Sequence, residues 1–488
     1  MARGERRVLI IGLDGMRPDL FDPGKMPALA GLVERGARFP DHHAVYPTHT
    51  RVNISTLASG VTPGRHGVVA NVFRLPGGEG DGLEIVDTSN EEHLRRLDSA
   101  QLGPAVLSPT LGDILDAHDE RVAVAATSSA GACILWTRNQ PYRVVNVNSH
   151  YGRADLLSLR EKLGPVPPAG FEHRLERQMY AARAVTDIFL HDDDCRVIVL
   201  WLSEPDSSLH RFGLGAPEVG EALEIVDQAI SHVLDALERS GRRDQFDVIV
   251  MSDHGHSTVL HHRSLGEYLD RAARELELDG LELTTASDFI YLSGKPKLRQ
   301  LSKLVRWIQE QPWAGAIFGS GPYGDLAGVL ALESLWGDKL PGDRVPALAV
   351  SPAWSDQPND FGVPGTIAAL TEQVALRSTH GSASPYDLHA FLVASGPDFR
   401  EGVTTELPSG AIDLAPTVLQ LLGREQPEAM DGRVLWEGFR NPQGEPGEHR
   451  QTRTASCVLH DGGFNPVIVQ ERVGDTTYID HVTNGHQG

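Results

Sequence analysis

Three uninterrupted apolar runs each end on a short acidic or histidine-bearing motif, and this pairing constrains the fold more than any other feature of the chain. Arg7–Leu13 (RVLIIGL) leads into Asp14-Gly15. Arg196–Leu202 (RVIVLWL) leads into Ser203-Glu204-Pro205-Asp206, with His210 close behind. Phe246–Met251 (FDVIVM) leads into Ser252-Asp253-His254-Gly255-His256. A strand that is apolar at every position, rather than every second one, must be covered on both faces, as in a parallel sheet flanked by helices. Arg121–Ala126 (RVAVAA) reads as a further strand of this kind. The segments Pro27–Arg35, Leu111–Ala117, Leu175–Leu190 and Val219–Arg239 read as helices between the strands. The alternation predicts an α/β sandwich with a mainly parallel central sheet.

The rhythm changes from residue 257 to residue 378, where Gly, Pro and Trp become frequent and strand-like pieces such as Asp288–Leu292 sit among loops. This stretch is expected to be an inserted cap or substrate region. It divides a first core segment, 1–256, from its completion over 379–447. In that completion Asp387–Ser395 reads as a strand and Ala411–Leu422 as a helix. Residues 448–488 form a C-terminal extension, in which the alternation over Val467–Arg472 and Thr476–Val482 predicts a β-hairpin.

The formal charge is −22. A surface this acidic repels polynucleotide backbones and anionic membranes, which argues against a bulk nucleic-acid binder. A small anionic substrate is still compatible, because bound metal ions reverse the field inside one cleft. The three cysteines, Cys133, Cys195 and Cys457, are too few and scattered for a disulfide framework or a zinc-finger spacing, and read as isolated thiols. The apolar run near the N-terminus is too short for a signal-peptide core, and no stretch approaches a membrane span. The expected location is therefore cytoplasmic. The sequence does not fix an oligomeric state.

A fourth motif, Thr379-His380-Gly381, sits just before the strand expected at Asp387–Ser395. Open α/β sheets place their ligands at the carboxyl ends of the strands. The four motifs together bring Asp14, Asp206, His210, Asp253, His254 and His380. Carboxylates mixed with imidazoles, without thiolate, suit Zn²⁺ or a similar first-row ion, and six ligands suffice for two ions. Two neighbouring ions form a clamp suited to phosphoryl chemistry. Singly, an Asp-Gly or His-Gly is ordinarily a turn or loop, and Asp206 with His210 also fits an exposed i,i+4 pair. Recurrence beside four strands sets the group apart.

Tyr46-Pro47-Thr48-His49-Thr50-Arg51-Val52-Asn53 precedes a short helix running toward Gly60. Thr50 falls near the N-terminus of that helix, where backbone N–H groups and the dipole favour an anion. It is a candidate nucleophile, and equally a candidate helix N-cap; one residue can serve as both.

These motifs, in this order, resemble the alkaline phosphatase superfamily, and within it the type I phosphodiesterase/nucleotide pyrophosphatase family. The resemblance rests on Tyr46–Asn53, on Val61-Thr62-Pro63-Gly64-Arg65-His66-Gly67-Val68-Val69-Ala70-Asn71, on Glu204-Pro205-Asp206 with His210, and on Ser252-Asp253-His254-Gly255. It covers the chain from Val8 to about Leu422 and implies an alkaline-phosphatase-like three-layer sandwich with an inserted cap. By the same resemblance, Asp206, His210 and His380 would hold one zinc ion, and Asp14, Asp253, His254 and the Thr50 oxygen the other. Mn²⁺ or a mixed metal pair is a further possibility. Asn71 would donate its amide to a phosphoryl oxygen, helped by the Thr50 N–H, and Thr50 would form a phosphothreonine intermediate that water then hydrolyses.

Departures from related patterns narrow the expected substrate. The C/S-x-P-x-R pattern of sulfatases is absent. The Lys-x-Arg pair that clamps the extra charge of a monoester in related phosphomonoesterases is replaced by Ser129 and Gly131. Arg51 stands where eukaryotic nucleotide pyrophosphatases carry an aromatic residue, and it is a candidate contact for a further anionic group. His256 stands where Met is common in the branch and is expected to support the site rather than bind metal. The resulting expectation is a two-zinc phosphodiesterase/nucleotide pyrophosphatase acting on a small anionic phosphate ester. The alternative is a phosphomonoesterase or phosphonate (C–P) hydrolase with the same metal site.

Overall fold

The computed structural model describes residues 6–76, 83–99, 103–137, 143–148, 161–278, 281–293, 298–371, 373–455 and 464–484. An eight-stranded sheet organises the core. Its order is Val403–Thr404, Ala37–Arg38, Leu392–Ser395, Phe246–Met251, Arg7–Leu13, Cys195–Leu202, Arg121–Ala126, Val144–Asn146. All but Leu392–Ser395 run the same way. The three apolar runs lie side by side at the centre, where every residue of Arg7–Leu13 is buried.

Side chains alternate across a strand, so the central run feeds two cores. Val8 and Ile10 share one with Ile54 and Leu57 of the helix Thr50–Ser59, Trp136 of Ala130–Thr137 and Leu419 of Leu414–Leu422. Leu9, Ile11 and Leu13 share the other with Leu29 of Pro27–Glu34, Val185 of Arg174–Asp187 and Ile230 of Pro217–Arg239. The result is three layers, helix–sheet–helix.

Between residues 257 and 378 lies a five-stranded sheet, ordered Glu282–Ala286, Phe289–Ser293, Leu348–Pro352, Ala314–Gly319, Leu330–Ala331. The helices Leu265–Leu276 and Leu298–Gln309 cover it with a separate apolar cluster that includes Leu269, Leu304 and Val350. This segment leaves and rejoins the core at neighbouring strands, because Ser257–Val259 pairs antiparallel with Ser378–Thr379. At the C-terminus His449–Ala455, Pro466–Val473 and Thr476–Asn484 form a three-stranded antiparallel sheet. Cys133 and Cys195 are buried free thiols, and Cys457 lies outside the described residues. No helix among the described residues is long and apolar enough to cross a membrane.

One expected element divides in two. Asp387–Ser395 does not form a single strand. Ser384 caps a helical turn, Pro385–Leu388, by accepting from the Asp387 N–H at 3.2 Å. His389–Ala390 then pairs with His42–His43 in a small separate sheet, and only Leu392–Ser395 enters the central sheet, antiparallel to Phe246–Met251. The apolar run is real, but a Ser-Pro start overrides strand propensity in its first half. Likewise Ala411–Asp413 is a 3₁₀ turn that opens the helix Leu414–Leu422.

Gly12 sits in the central strand directly beside Trp201, its register partner, and a Cβ at Gly12 would fall 2.1 Å from the indole ring. Gly12→Ala should therefore overpack the sheet and destabilise the protein by about 1–3 kcal/mol. A lowered urea midpoint at unchanged m-value would show it; an unchanged midpoint would mean that the ring has room to move.

Candidate active site

Each motif reaches the same end of the sheet by a different local device. Asp14 follows the central strand directly, and its backbone N–H donates to Leu202 O at 3.0 Å, locking the two strand ends together. Asp206 is the first residue of the helix Asp206–Phe212, which places His210 one turn on, on the same face. Thr50 is the first residue of the helix Thr50–Ser59, which Gly60 closes in the left-handed conformation, φ 68°.

The histidines all follow one rule. His380 Nδ1 lies 2.6 Å from Thr48 O, His210 Nδ1 2.8 Å from Ser378 O, and His254 Nδ1 2.9 Å from Gly255 O. A carbonyl only accepts, so each of these Nδ1 atoms carries the proton. His256 Nδ1 is 3.1 Å from Ser378 Oγ, whose own hydrogen goes to Leu209 O at 2.6 Å, so His256 also donates through Nδ1. Each ring, when neutral, therefore presents its Nε2 lone pair inward. This is the arrangement that fixes the tautomer of a metal-binding histidine.

Those lone pairs converge on carboxylate oxygens. Asp206 Oδ1 lies 2.8 Å from His256 Nε2, 3.3 Å from His210 Nε2 and 3.6 Å from His380 Nε2. His254 Nε2 lies 3.2 Å from Asp253 Oδ2, 3.6 Å from Asp14 Oδ1 and 3.1 Å from Thr50 Oγ1. Asp14 Oδ1 and Asp253 Oδ2 are buried and accept no hydrogen bond. Their second oxygens are held, Asp14 Oδ2 by Trp201 Nε1 at 3.2 Å and Asp253 Oδ1 by the Gly15 N–H at 3.2 Å. Two groups of donors, Asp206/His254/His256/His380 and Asp14/Asp253/His254, each lie within 4.8 Å of one another. Both sets have the chemistry and spacing of cation ligands.

The electrostatics agree. Burial pushes the Asp14 carboxyl well above its ordinary value, and Asp253 and Asp206 push it further. Burial would raise Asp206 too, but the charge and hydrogen bonds of His210 and His256 outweigh it and hold this carboxyl well below the usual range. Burial keeps His256 neutral, down to about 3, and depresses His380, with His254 adding to the effect. Asp206 overcomes burial at His210 and raises it.

Asn71 and Arg51 flank the nucleophile candidate. The Arg51 N–H donates to Asn71 Oδ1 at 3.1 Å, which assigns the amide and leaves Nδ2 as its donor end. The Arg51 guanidinium donates to Thr88 Oγ1 at 3.2 Å, and Thr88 Oγ1 donates on to Asn71 O at 2.8 Å. Gly131 packs against the same turn, where a Cβ would lie 1.8 Å from Thr88 O.

The structure brings all the expected residues into one region: Asp14, Thr50, Asp206, His210, Asp253, His254 and His380, with Asn71 and Arg51 beside them. It adds His256, expected only to support the site but closer to Asp206 than any other imidazole. The signal was present in Asp253-His254-Gly255-His256, where two residues of spacing bring a second ring back toward the same end of the sheet.

Comparison with known proteins agrees with this geometry. The profile of the family Type I phosphodiesterase / nucleotide pyrophosphatase matches residues 8–306. An uncharacterized pyrophosphatase/phosphodiesterase of Schizosaccharomyces pombe is 24% identical over 249 residues, 51% of this chain and 44% of that one. Mouse ectonucleotide pyrophosphatase/phosphodiesterase family member 7 is 31% identical over 257 residues, 52% of this chain and 51% of that one. The chain thus spans about half the length of these relatives. Murine ectonucleotide pyrophosphatase/phosphodiesterase 5, solved as an inactive variant with AMP, shares the fold with a TM-score of 0.59 at 18% identity, over 86% of this chain and 96% of that one. The match across most of the core and all but one of the site motifs places the chain in the type I phosphodiesterase/nucleotide pyrophosphatase family.

Proposed function

We propose that this protein is a two-metal phosphodiesterase or nucleotide pyrophosphatase that cleaves a small anionic phosphate ester through Thr50. The observation that carries the reading is the clustering of Thr50 Oγ1 and the unpaired oxygens of Asp14 and Asp253 around His254 Nε2, beside a second cluster of imidazoles on Asp206 Oδ1. Asp206, His210 and His380 would hold one Zn²⁺, with His256 beside them, and Asp14, Asp253, His254 and Thr50 Oγ1 the other. Mn²⁺ or a mixed pair suits the same donors. When bound, such a pair supplies positive charge that favours the deprotonated nucleophile and the departing oxygen.

The remaining steps belong to the chain. Thr50 Oγ1 gives its proton to solvent and attacks phosphorus, the leaving oxygen departs with the electron pair of the broken P–O bond, and a phosphothreonine forms. Water then attacks the same phosphorus and returns the threonine. Asn71 Nδ2 and the N–H at the start of the helix Thr50–Ser59 donate to the phosphoryl oxygens, where charge develops. Arg51, held by Thr88, would meet a second anionic group of the substrate. The region 257–378 is proposed to select substrate. It bonds to the hairpin that follows Asn71, through Arg74 Nε to Thr285 O at 3.0 Å and Ser287 Oγ to Val72 O at 3.1 Å. A diester is favoured over a monoester because Ser129 and Gly131 offer no cations for a further negative charge.

Zinc-loaded protein should show a kcat/KM for bis-p-nitrophenyl phosphate about 10-fold or more above that for p-nitrophenyl phosphate, since each missing charge-assisted bond is worth about 1.5–3 kcal/mol. A monoester preference would move the charge clamp to Arg51 or the inserted region. Thr50→Ala should lower kcat by about three orders of magnitude or more while the circular dichroism spectrum is kept. Rates near wild type would remove Thr50 as nucleophile. Cation loading of chelator-stripped protein at neutral pH should release protons, because Asp14 and His210 hold theirs above their ordinary ranges and must lose them to bind. Calorimetry in buffers of different ionisation enthalpy measures that release, and an enthalpy independent of buffer would contradict it.

A further inference from the structure

A second set of histidines and carboxylates lies where the C-terminal sheet meets the core, and it uses none of the residues of the candidate active site. His43 and His389 are register partners on adjacent antiparallel strands, His42–His43 and His389–Ala390. Their rings meet edge to face, 4.8 Å between centroids. Asp41 precedes the first strand by one residue, and Asp480 comes from the strand Thr476–Asn484 of the C-terminal sheet. One donor atom from each of the four lies within 4.8 Å of the others.

His43 is the decisive residue. Its side chain is 1% exposed. Its Nδ1 lies 3.0 Å from Ser409 O, a pure acceptor, so Nδ1 carries the proton. In the neutral ring Nε2 is a buried lone pair with no hydrogen-bond partner. It faces two carboxylate oxygens, Asp41 Oδ1 at 3.3 Å and Asp480 Oδ1 at 3.5 Å. A lone pair held against two anions in a buried position is repulsive unless a positive charge sits between them. Asp480 Oδ1 also lies 2.9 Å from His389 Nε2, while its other oxygen is held by His481 Nδ1. The carboxylate is thereby turned so that Oδ1 points into the cluster.

The spacing suits a small cation. Four ligands at about 2.0–2.2 Å from a tetrahedral ion stand about 3.3–3.6 Å apart. Two of the three measured pairs fall there, and the His389–Asp480 pair is shorter. Neutral imidazole nitrogen with carboxylate oxygen is the donor chemistry of Zn²⁺ and its neighbours, whereas Ca²⁺ and Mg²⁺ prefer oxygen alone. We propose that Asp41, His43, His389 and Asp480 form a separate structural zinc-type site that fastens the C-terminal sheet to the core. The competing occupant is a proton on His43 Nε2, which would turn the cluster into a charged hydrogen-bonded group without metal.

Two measurements decide between them. Crystals of the wild-type protein grown with Zn²⁺ should give an anomalous peak at the zinc edge between the four side chains. Its absence overturns the proposal. In solution, zinc content after gel filtration should fall by one equivalent per chain in His389→Gln and in Asp480→Asn, relative to wild type. His389 is 32% exposed, so its replacement spares the core. Wild-type zinc content in a folded His389→Gln protein would equally refute the site. The comparison is a difference between proteins with the same catalytic centre, so it does not depend on how many ions that centre binds.

Discussion

The inward orientation of imidazole lone pairs is the constraint on which the rest of the site depends. Thr48, Gly255 and Ser378 take the Nδ1 protons of four rings. None of these acceptors belongs to a flexible side chain except Ser378 Oγ, and that hydroxyl is itself fixed on Leu209 O. The backbone therefore decides where the Nε2 atoms point. Two buried carboxylates, Asp14 and Asp253, and the partly buried Asp206 meet them. Burial and the neighbouring carboxylates favour a proton on Asp14, Asp206 favours one on His210, and the same concentration of donors suits cations. The sheet makes this concentration possible, because parallel strands deliver all their C-terminal ends to one edge of the layer.

The core of this arrangement was legible from the chain alone, for definite physical reasons. Arg121–Ala126 and Phe246–Met251 are strands with the bounds that their apolar runs suggest, since burial on both faces keeps almost every position apolar. Asp14, Asp206, His210, Asp253 and His254 follow such runs, so locating the strands located them; His380 instead follows the short strand Ser378–Thr379 of a separate sheet. Asp387–Ser395 misled because composition does not record which sheet a strand joins. His389–Ala390 is drawn to His42–His43, and a turn capped by Ser384 comes first. His256, expected to support the site, meets Asp206 Oδ1 at 2.8 Å.

The cluster at the C-terminal sheet was invisible for a different reason. Only Asp41 and His43 are near in sequence, and the pairing of distant segments brings His389 and Asp480 to them. A sequence reading built on strand-end motifs finds sites made at one edge of one sheet. It passes over sites made where separate sheets touch. His42 and His43 were plain in the sequence as a pair, but adjacent residues on a strand face opposite ways, so only one of the two can join a given cluster.

The contact between Gly131 and Thr88 has a consequence for how this chain can change over evolutionary time. Thr88 O stands 1.8 Å from where a Cβ at position 131 would be, and the Thr88 side chain is tied to both Arg51 and the Asn71 backbone. No single substitution can install a cation at 131 without displacing that turn, and the turn carries two residues that flank the nucleophile with it. Gain and loss are thus coupled through one backbone oxygen. A lineage that starts from this sequence can place a cation at 131 only by remodelling the Asp87–Ser89 turn first, which makes that position a local trap in sequence space.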